Sequence, residues 1–233
     1  MTVIPPRHGW DLNCTEAVSL QRDLAKQVRL EPFALVPGML VAGVDVSYRR
    51  FGNLFHGAIV LLEYPGLQVV EEAVASLESA FPYVPGLLSF REMPVLVEAL
   101  GKLSSCPDLV LVDGQGIAHP RRFGLACHLG IWFDMPAIGC AKSRLCGVHD
   151  EPDTRRGEWS VLRDGDEEIG RVVRSRDGVR PLYVSPGHRV DCPSAMQAVL
   201  ACHAGYRQPE PTRQAHLLAN RQRLEREEAS RRR

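Results

Sequence analysis

This chain of 233 residues has no excess charge, no membrane-length apolar run, no CxxC pair and no internal repeat. Its 28 Lys and Arg residues are cancelled by 28 Asp and Glu residues, which removes the simplest electrostatic argument for a nucleic-acid partner. No apolar stretch approaches the roughly 20 residues that span a bilayer. The start, Met1-Thr2-Val3-Ile4-Pro5-Pro6-Arg7-His8, lacks the hydrophobic region of a secretory signal. A cytoplasmic protein with no membrane partner is expected. Seven cysteines, at 14, 106, 127, 140, 146, 192 and 202, make an odd total, so neither a disulfide framework nor a structural zinc site is indicated. No glycine-rich P-loop is present either, because the glycine spacing of Gly139-Cys140-Ala141-Lys142-Ser143 is wrong for one.

What is present suits one α/β domain over residues 1–233, with 45% hydrophobic and 24% charged residues. Positive charge gathers locally at Arg121-Arg122, at Lys142 with Arg144, at Arg189, and in the arginines from Arg207 onward, while acids concentrate between Asp150 and Glu168. The basic stretch 223–233 is expected to be a mobile, solvated tail.

Apolar periodicity predicts a helix over 15–30, capped by Asn13 or Thr15. Three β-branched runs follow, Met39–Arg49, Leu54–Tyr64 and Gln68–Leu77, joined by Phe51-Gly52-Asn53 and Pro65-Gly66. Such short joints favour an antiparallel meander. A helix is expected from Ser89 to Leu103, with Ser89 as its cap, Glu92 in the capping-box place and Pro94 in the first turn. Leu109–Val112, Phe123–Phe133 and Pro136–Ala141 then read as strand, helix and parallel strand. A polar hairpin over Glu158–Val173, a short strand over Pro181–Val184, and helices over Pro193–His203 and Thr212–Ala229 complete the pattern. A three-strand antiparallel meander followed by parallel strands, flanked by helices, is the order of a ribonuclease H-like mixed sheet.

Two apolar strands deliver an acid at or near their exits: Met39–Val44 leads to Asp45, and Leu109–Val112 leads to Asp113. A buried carboxylate is costly unless it finds a counter-charge. Taken singly, each is as well explained by a strand-end turn. Taken together, oxygen ligands on adjoining strands suit Mg²⁺. Glu92 completes the acidic cluster or caps its helix; the residues alone leave both open. His119 and Lys142 follow strands of the parallel half, where α/β sheets place functional loops. The loop Pro82-Tyr83-Val84-Pro85 is stiffened by its prolines and offers an aromatic that can stack on bases or cover a core edge. Gly86, Gly114 and Gly116 permit close backbone approach.

The segments Val41–Tyr48, Pro82–Glu92 (PYVPGLLSFRE), Asp113–Gly130 (DGQGIAHPRRFGLACHLG), Ile138–Ser143, Ser185–Val190 and Pro209–Arg213 together resemble the endonuclease V family, deoxyinosine 3′-endonucleases, over roughly Leu12 to Arg223. The resemblance implies a ribonuclease H-like fold and a Mg²⁺-dependent repair nuclease, with Mn²⁺ able to substitute. Its expected substrate is DNA with deaminated bases, cut at the second phosphodiester bond 3′ to the lesion to leave 3′-hydroxyl and 5′-phosphate. It also implies roles. Asp45 and Asp113 hold metal, Glu92 is the third acid, His216 takes the fourth position, and Lys142 contacts the backbone near the scissile phosphate. Pro82, Tyr83, Val84 and Pro85 form a strand-separating wedge, and Gly86, Leu88, Gly114, Gly116 and His119 surround the flipped base. An endoribonuclease for inosine-containing RNA and a silent binder of deaminated bases are the competing expectations. No obligatory protein partner is implied.

Overall fold

The computed structural model describes residues 7–50 and 52–231, so the joint expected at Phe51 lies partly outside them. The first helix, α1 (Cys14–Ala25), starts at an Asn13 cap whose side chain accepts from the amides of Thr15 and Glu16, while Glu16 reaches back to the amide of Asn13. It ends five residues short of the expected 30. There the backbone leaves the helix to bond the far side of the molecule: Arg189 N–H donates to Arg29 O (2.7 Å), and Arg29 N–H to His188 Nδ1 (3.3 Å).

The meander β1 (Leu40–Tyr48), β2 (Leu54–Glu63) and β3 (Gln68–Glu78) is antiparallel as expected. Every interior position of β2 is buried because both faces are covered. Phe55, Ile59 and Leu61 meet Met93, Val95, Leu96 and Leu100 of α2 (Leu88–Gly101), whereas Ala58, Val60 and Leu62 meet Ala215, Leu218 and Ala219 of the last helix. The two sets alternate with the period of a strand.

The sequence around α2 misleads at the cap. A turn in which Leu87 N–H donates to Val84 O (2.9 Å) winds directly into the helix, so Ser89 lies inside it and Leu87 takes the cap position without a side-chain bond. Ser89 Oγ instead bonds His128 Nδ1 (3.1 Å). Glu92 is therefore no capping residue, and Pro94 falls in the helix interior rather than in its first turn.

Then come β4 (Leu109–Val112), α3 (Leu125–Phe133) and β5 (Ala137–Ala141), with β4 parallel to both β1 and β5. The hairpin β6 (Trp159–Asp164) and β7 (Glu167–Val173) is followed by β8 (Leu182–His188), longer than expected and antiparallel to β5, so the parallel part of the sheet is confined to β1, β4 and β5. The eight-stranded order is β3-β2-β1-β4-β5-β8-β7-β6, a ribonuclease H-like mixed sheet with three further antiparallel strands at one edge. Helices α4 (Cys192–Ala201) and α5 (Glu210–Arg231) close the chain. Residues 223–231, expected as a mobile tail, continue α5, and Arg223 is tied to Ser47 Oγ (3.0 Å) and Glu227 (2.8 Å).

The start of α5 crosses β1 at Gly43, where an added Cβ would stand 1.8 Å from the carbonyl oxygen of Pro211. Only glycine lets the helix lie this close, and that approach is what carries His216 over Asp45. Among the described residues, no helix is long and apolar enough to cross a membrane, and all seven cysteines are free.

Candidate active site

Strand register brings the two aspartates together. Val44 pairs with Val112, so Asp45 and Asp113 are the next residues on neighbouring parallel strands, and Asp113 N–H donates to Val44 O (3.1 Å). Helix α5 adds His216, and one ligand atom from each of Asp45, Asp113 and His216 lies within 4.8 Å of the others. His216 Nδ1–H donates to Asp45 Oδ2 (2.7 Å), and its Nε2 bonds Asn220 Nδ2 (3.0 Å), one turn along α5. Asn220 is held in turn by Ser47 Oγ (2.8 Å). Lys142, just beyond β5, places Nζ 2.5 Å from Asp113 Oδ2, an oxygen that Gln208 Nε2 also approaches (3.2 Å).

Glu92 projects from α2 into the same region and is buried. Burial, and then the charges of Asp45 and Asp113, push its carboxyl up to about 8. The Asp113 carboxyl is likewise raised, by burial first and Asp45 second, against the pull of Lys142. His216 is raised by its bond to Asp45. Glu92 and Asp113 would each ionise at less cost if further positive charge joined them. The donors are oxygens and one imidazole nitrogen, with no thiolate, a set that suits a hard divalent cation such as Mg²⁺ or Mn²⁺. The residues therefore fit a metal.

A cavity of about 430 Å³ opens beside this cluster, with Asp113 and Lys142 among its lining residues. Tyr83, Val84, Pro85, Gly86 and Leu88 line it from the proline loop, and Gly114 and His119 from the loop after β4. Tyr83 is 66% exposed at the loop tip, with the Arg91 guanidinium 5.9 Å from its ring. Pro82 and Gly116 do not line the cavity. Gly116 N–H donates to Ser185 Oγ (2.8 Å), fastening its loop to β8.

The Gly86 carbonyl fixes the loop. It accepts from His119 Nε2–H (3.1 Å), Gln21 Nε2 (3.0 Å) and Arg121 Nη2 (2.7 Å). Because a carbonyl only accepts, His119 must carry its hydrogen on Nε2, leaving Nδ1 to accept from the amide of Arg121 (3.1 Å). Gln21, fully buried on α1, also donates to Phe123 O (2.7 Å). Sequence reasoning missed Gln21, Gln208 and Asn220. The available signal was Gln21 in the apolar stripe Ala17, Gln21, Leu24, a polar side chain where the helix buries its face.

Burial and the neighbouring Arg121 push His119 down to about 4. Between about 6.5 and 4 the unfolded chain binds a proton that the folded chain refuses, so this residue's contribution to stability is lost as pH falls through that window. The full loss is on the order of 3 kcal/mol. Urea unfolding at pH 7 and pH 4.5 should show His119→Gln losing less stability than wild type over that interval; equal losses would exclude His119 as a source.

Sheet order and converging acids together define a ribonuclease H-like nuclease, an enzyme that hydrolyses phosphodiester bonds with the help of a divalent metal. A sequence model of endonuclease V matches residues 22–217. The chain is 46% identical over 213 residues to an endonuclease V from Nostoc sp., covering 91% of this chain and 96% of the relative. It is 50% identical over 213 residues to one from Alkalilimnicola ehrlichii, covering 91% and 94%. The solved endonuclease V of Streptomyces avermitilis superposes with TM-score 0.88 at 44% identity, over 93% of this chain and 96% of that one. Ciona intestinalis endonuclease V, solved with a 24mer DNA containing an inosine followed by a ribo-adenosine, gives TM-score 0.78 at 27% identity, over 89% and 96%. The chain belongs to the endonuclease V family.

Proposed function

We propose that this enzyme repairs deaminated DNA in the cytoplasm by cutting the second phosphodiester bond 3′ to deoxyinosine, with Mg²⁺ as the metal and Mn²⁺ able to replace it. The observation that carries the reading is the side-by-side placement of Asp45 and Asp113 beneath His216, at the edge of a cavity suited in size to an extruded base.

Asp45 and Asp113, with His216 alongside, would hold a divalent ion, which would supply Lewis-acid polarisation of the phosphate. Asn220 and Asp45 orient the His216 ring, so its position is set before substrate arrives. Lys142, already paired with Asp113, offers its ammonium to the oxygens of the scissile phosphate. Glu92 holds a proton near neutrality and releases it when positive charge enters the cluster. Water oxygen ends on the 5′-phosphate, and the departing 3′ oxygen takes a proton to leave as a hydroxyl.

Selectivity begins with extrusion, which costs least at a mispaired or damaged base. Pro82, Tyr83, Val84 and Pro85 enter the gap, with Tyr83 stacking where the base was. Backbone groups at Gly86, Leu88 and Gly114, beside a neutral His119, meet the hypoxanthine edge, while Gly116 keeps that loop closed from behind. Tyr83→Ala should weaken affinity for an inosine duplex by roughly 1–3 kcal/mol, the range for one lost base stack. Because Tyr83 is exposed, its melting temperature should not move; unchanged lesion affinity would remove the wedge.

Matched DNA and RNA strands carrying one inosine, incubated with Mg²⁺ and mapped to the nucleotide, test the whole reading. The DNA should be cut once, at the second bond 3′ to the lesion. Cutting confined to RNA would make the enzyme an endoribonuclease, and binding without cutting would make it a silent reader.

A further inference from the structure

Eight arginines of this chain are held by acids. Arg29, Arg122, Arg171, Arg174, Arg189, Arg213, Arg221 and Arg223 each make an ion pair. Arg156, Arg176, Arg180 and Arg207 make no ion pair among the described residues and lie together on one rim, where Arg156 and Arg176 line one cavity and Arg207 bonds the carbonyl of Arg180. Topology puts that rim beside the acids. Since β8 runs antiparallel to β5, and β7 antiparallel to β8, the loop 174–181 emerges at the same end of the sheet as Asp113 and Lys142. With neighbouring strands about 4.8 Å apart, β7 stands roughly 14 Å from β4.

The rim is physically continuous with the active site. Arg207 donates to the carbonyls of Lys142 (2.8 Å), Pro181 (2.8 Å) and Arg180 (2.9 Å), and the next residue, Gln208, reaches Asp113. Its outer part is a separate cavity of about 550 Å³, lined by Arg156, Arg176, Asp177, His203 and Gly205. The His203 ring adds a second observation. Its Nδ1 accepts from Gly205 N–H (3.2 Å), so the hydrogen of the neutral ring sits on Nε2, a nitrogen shielded from solvent. The guanidiniums of Arg156 and Arg176 stand beside that ring. Of the nearby acids, Glu151 is taken by Arg174, Asp153 by Thr154, and one oxygen of Asp177 by the amide of Arg156.

We propose that this rim is a second binding surface for the phosphodiester backbone, holding flanking phosphates of the strand whose lesion and scissile bond lie at the acid cluster. Arg156, Arg176 and Arg180 supply the charge. The surface contributes affinity without reading bases or lesions, which lets a chain of zero net charge hold a polyanion. The inference rests on the nuclease reading above.

The test is a triple variant, Arg156→Gln with Arg176→Gln and Arg180→Gln, and the matching triple Lys variant, assayed in Mg²⁺ buffer. Affinity for an undamaged long duplex, and kcat/KM on the same duplex with one inosine, should both fall about tenfold or more in the Gln variant. Its log–log salt slope should shrink by about 0.9 for each phosphate that is no longer neutralised. The Lys variant should keep most of the slope, because charge rather than fork geometry sets it. A single-stranded inosine oligonucleotide with only a few nucleotides on either side of the cut should be cleaved as fast by the Gln variant as by wild type. Wild-type cleavage of that oligonucleotide checks the nuclease reading separately. An unchanged slope on the long duplex, or an equal loss on the short oligonucleotide, would overturn the proposal.

Discussion

Asp113→Ala should cut an inosine-containing strand at least about 10³-fold more slowly than wild type while remaining folded and retaining lesion affinity. The magnitude follows from what the metal supplies, several kcal/mol of stabilisation at the phosphate, with each 1.36 kcal/mol a factor of ten in rate. Asp113 contributes one of two carboxylates on the central parallel strands, and among the described residues no other acid stands in register with Asp45. The fold should survive because the substitution removes a carboxyl already raised by burial and by Asp45, relieving repulsion rather than opening the core. Lys142 loses its partner, but it is partly exposed and can turn to water. Asp45→Ala should have an effect of the same order, and the double variant little more than either single one, since both serve one ion. Activity within tenfold of wild type in either single variant would remove the metal assignment.

Glu92→Gln should make the metal-free protein more stable at pH 8 and nearly inactive. The folded carboxyl is pushed up to about 8, whereas in the unfolded chain it titrates near the ordinary 4.5. Between those values the folded state holds a proton that the unfolded state has released, so stability falls as pH rises through the window. The amide isostere removes that liability. At pH 8 the gain should be on the order of 4 kcal/mol, shrinking to nothing toward pH 4.5. Saturating Mg²⁺ should narrow the gap from the other side, because a cation lets wild-type Glu92 ionise at less cost. Cutting should drop by about 10²-fold or more, the range for loss of a positioned proton-transfer group. Urea unfolding with chelator at both pH values decides it: a variant no more stable than wild type at pH 8 would mean Glu92 is not held against its charge.

These two residues also show how far the sequence could be read. Asp113 was legible because Leu109–Val112 is a short, fully apolar strand that delivers an acid into a glycine turn, and Asp45 because a second such run precedes it. Their register was not, since pairing of Val44 with Val112 is set by the sheet rather than by spacing. Glu92 read equally well as a helix cap. The turn over Val84–Leu87 that starts the helix early, burying Ser89 against His128, belongs to tertiary packing and leaves no local trace. The direction of β8 was hidden for a similar reason: a strand of seven residues after a hairpin carries no mark of which neighbour it will join. Residues 26–30 kept helical periodicity, but bonds from Arg29 to the end of β8 outweighed it. Gln208 and Asn220 act by steadying Asp113 and His216, and nothing in their local sequence announces that.

The account stands on acids from two strands sharing one cation. Binding of Mn²⁺ to the metal-free protein, followed by electron paramagnetic resonance, tests this most directly. Wild type should take up the ion at neutral pH and release it as pH falls, since protons then compete for the same carboxylates; the Asp45→Ala, Asp113→Ala double variant should bind none at the same concentration. Undiminished uptake by the double variant would place the metal elsewhere and contradict the account.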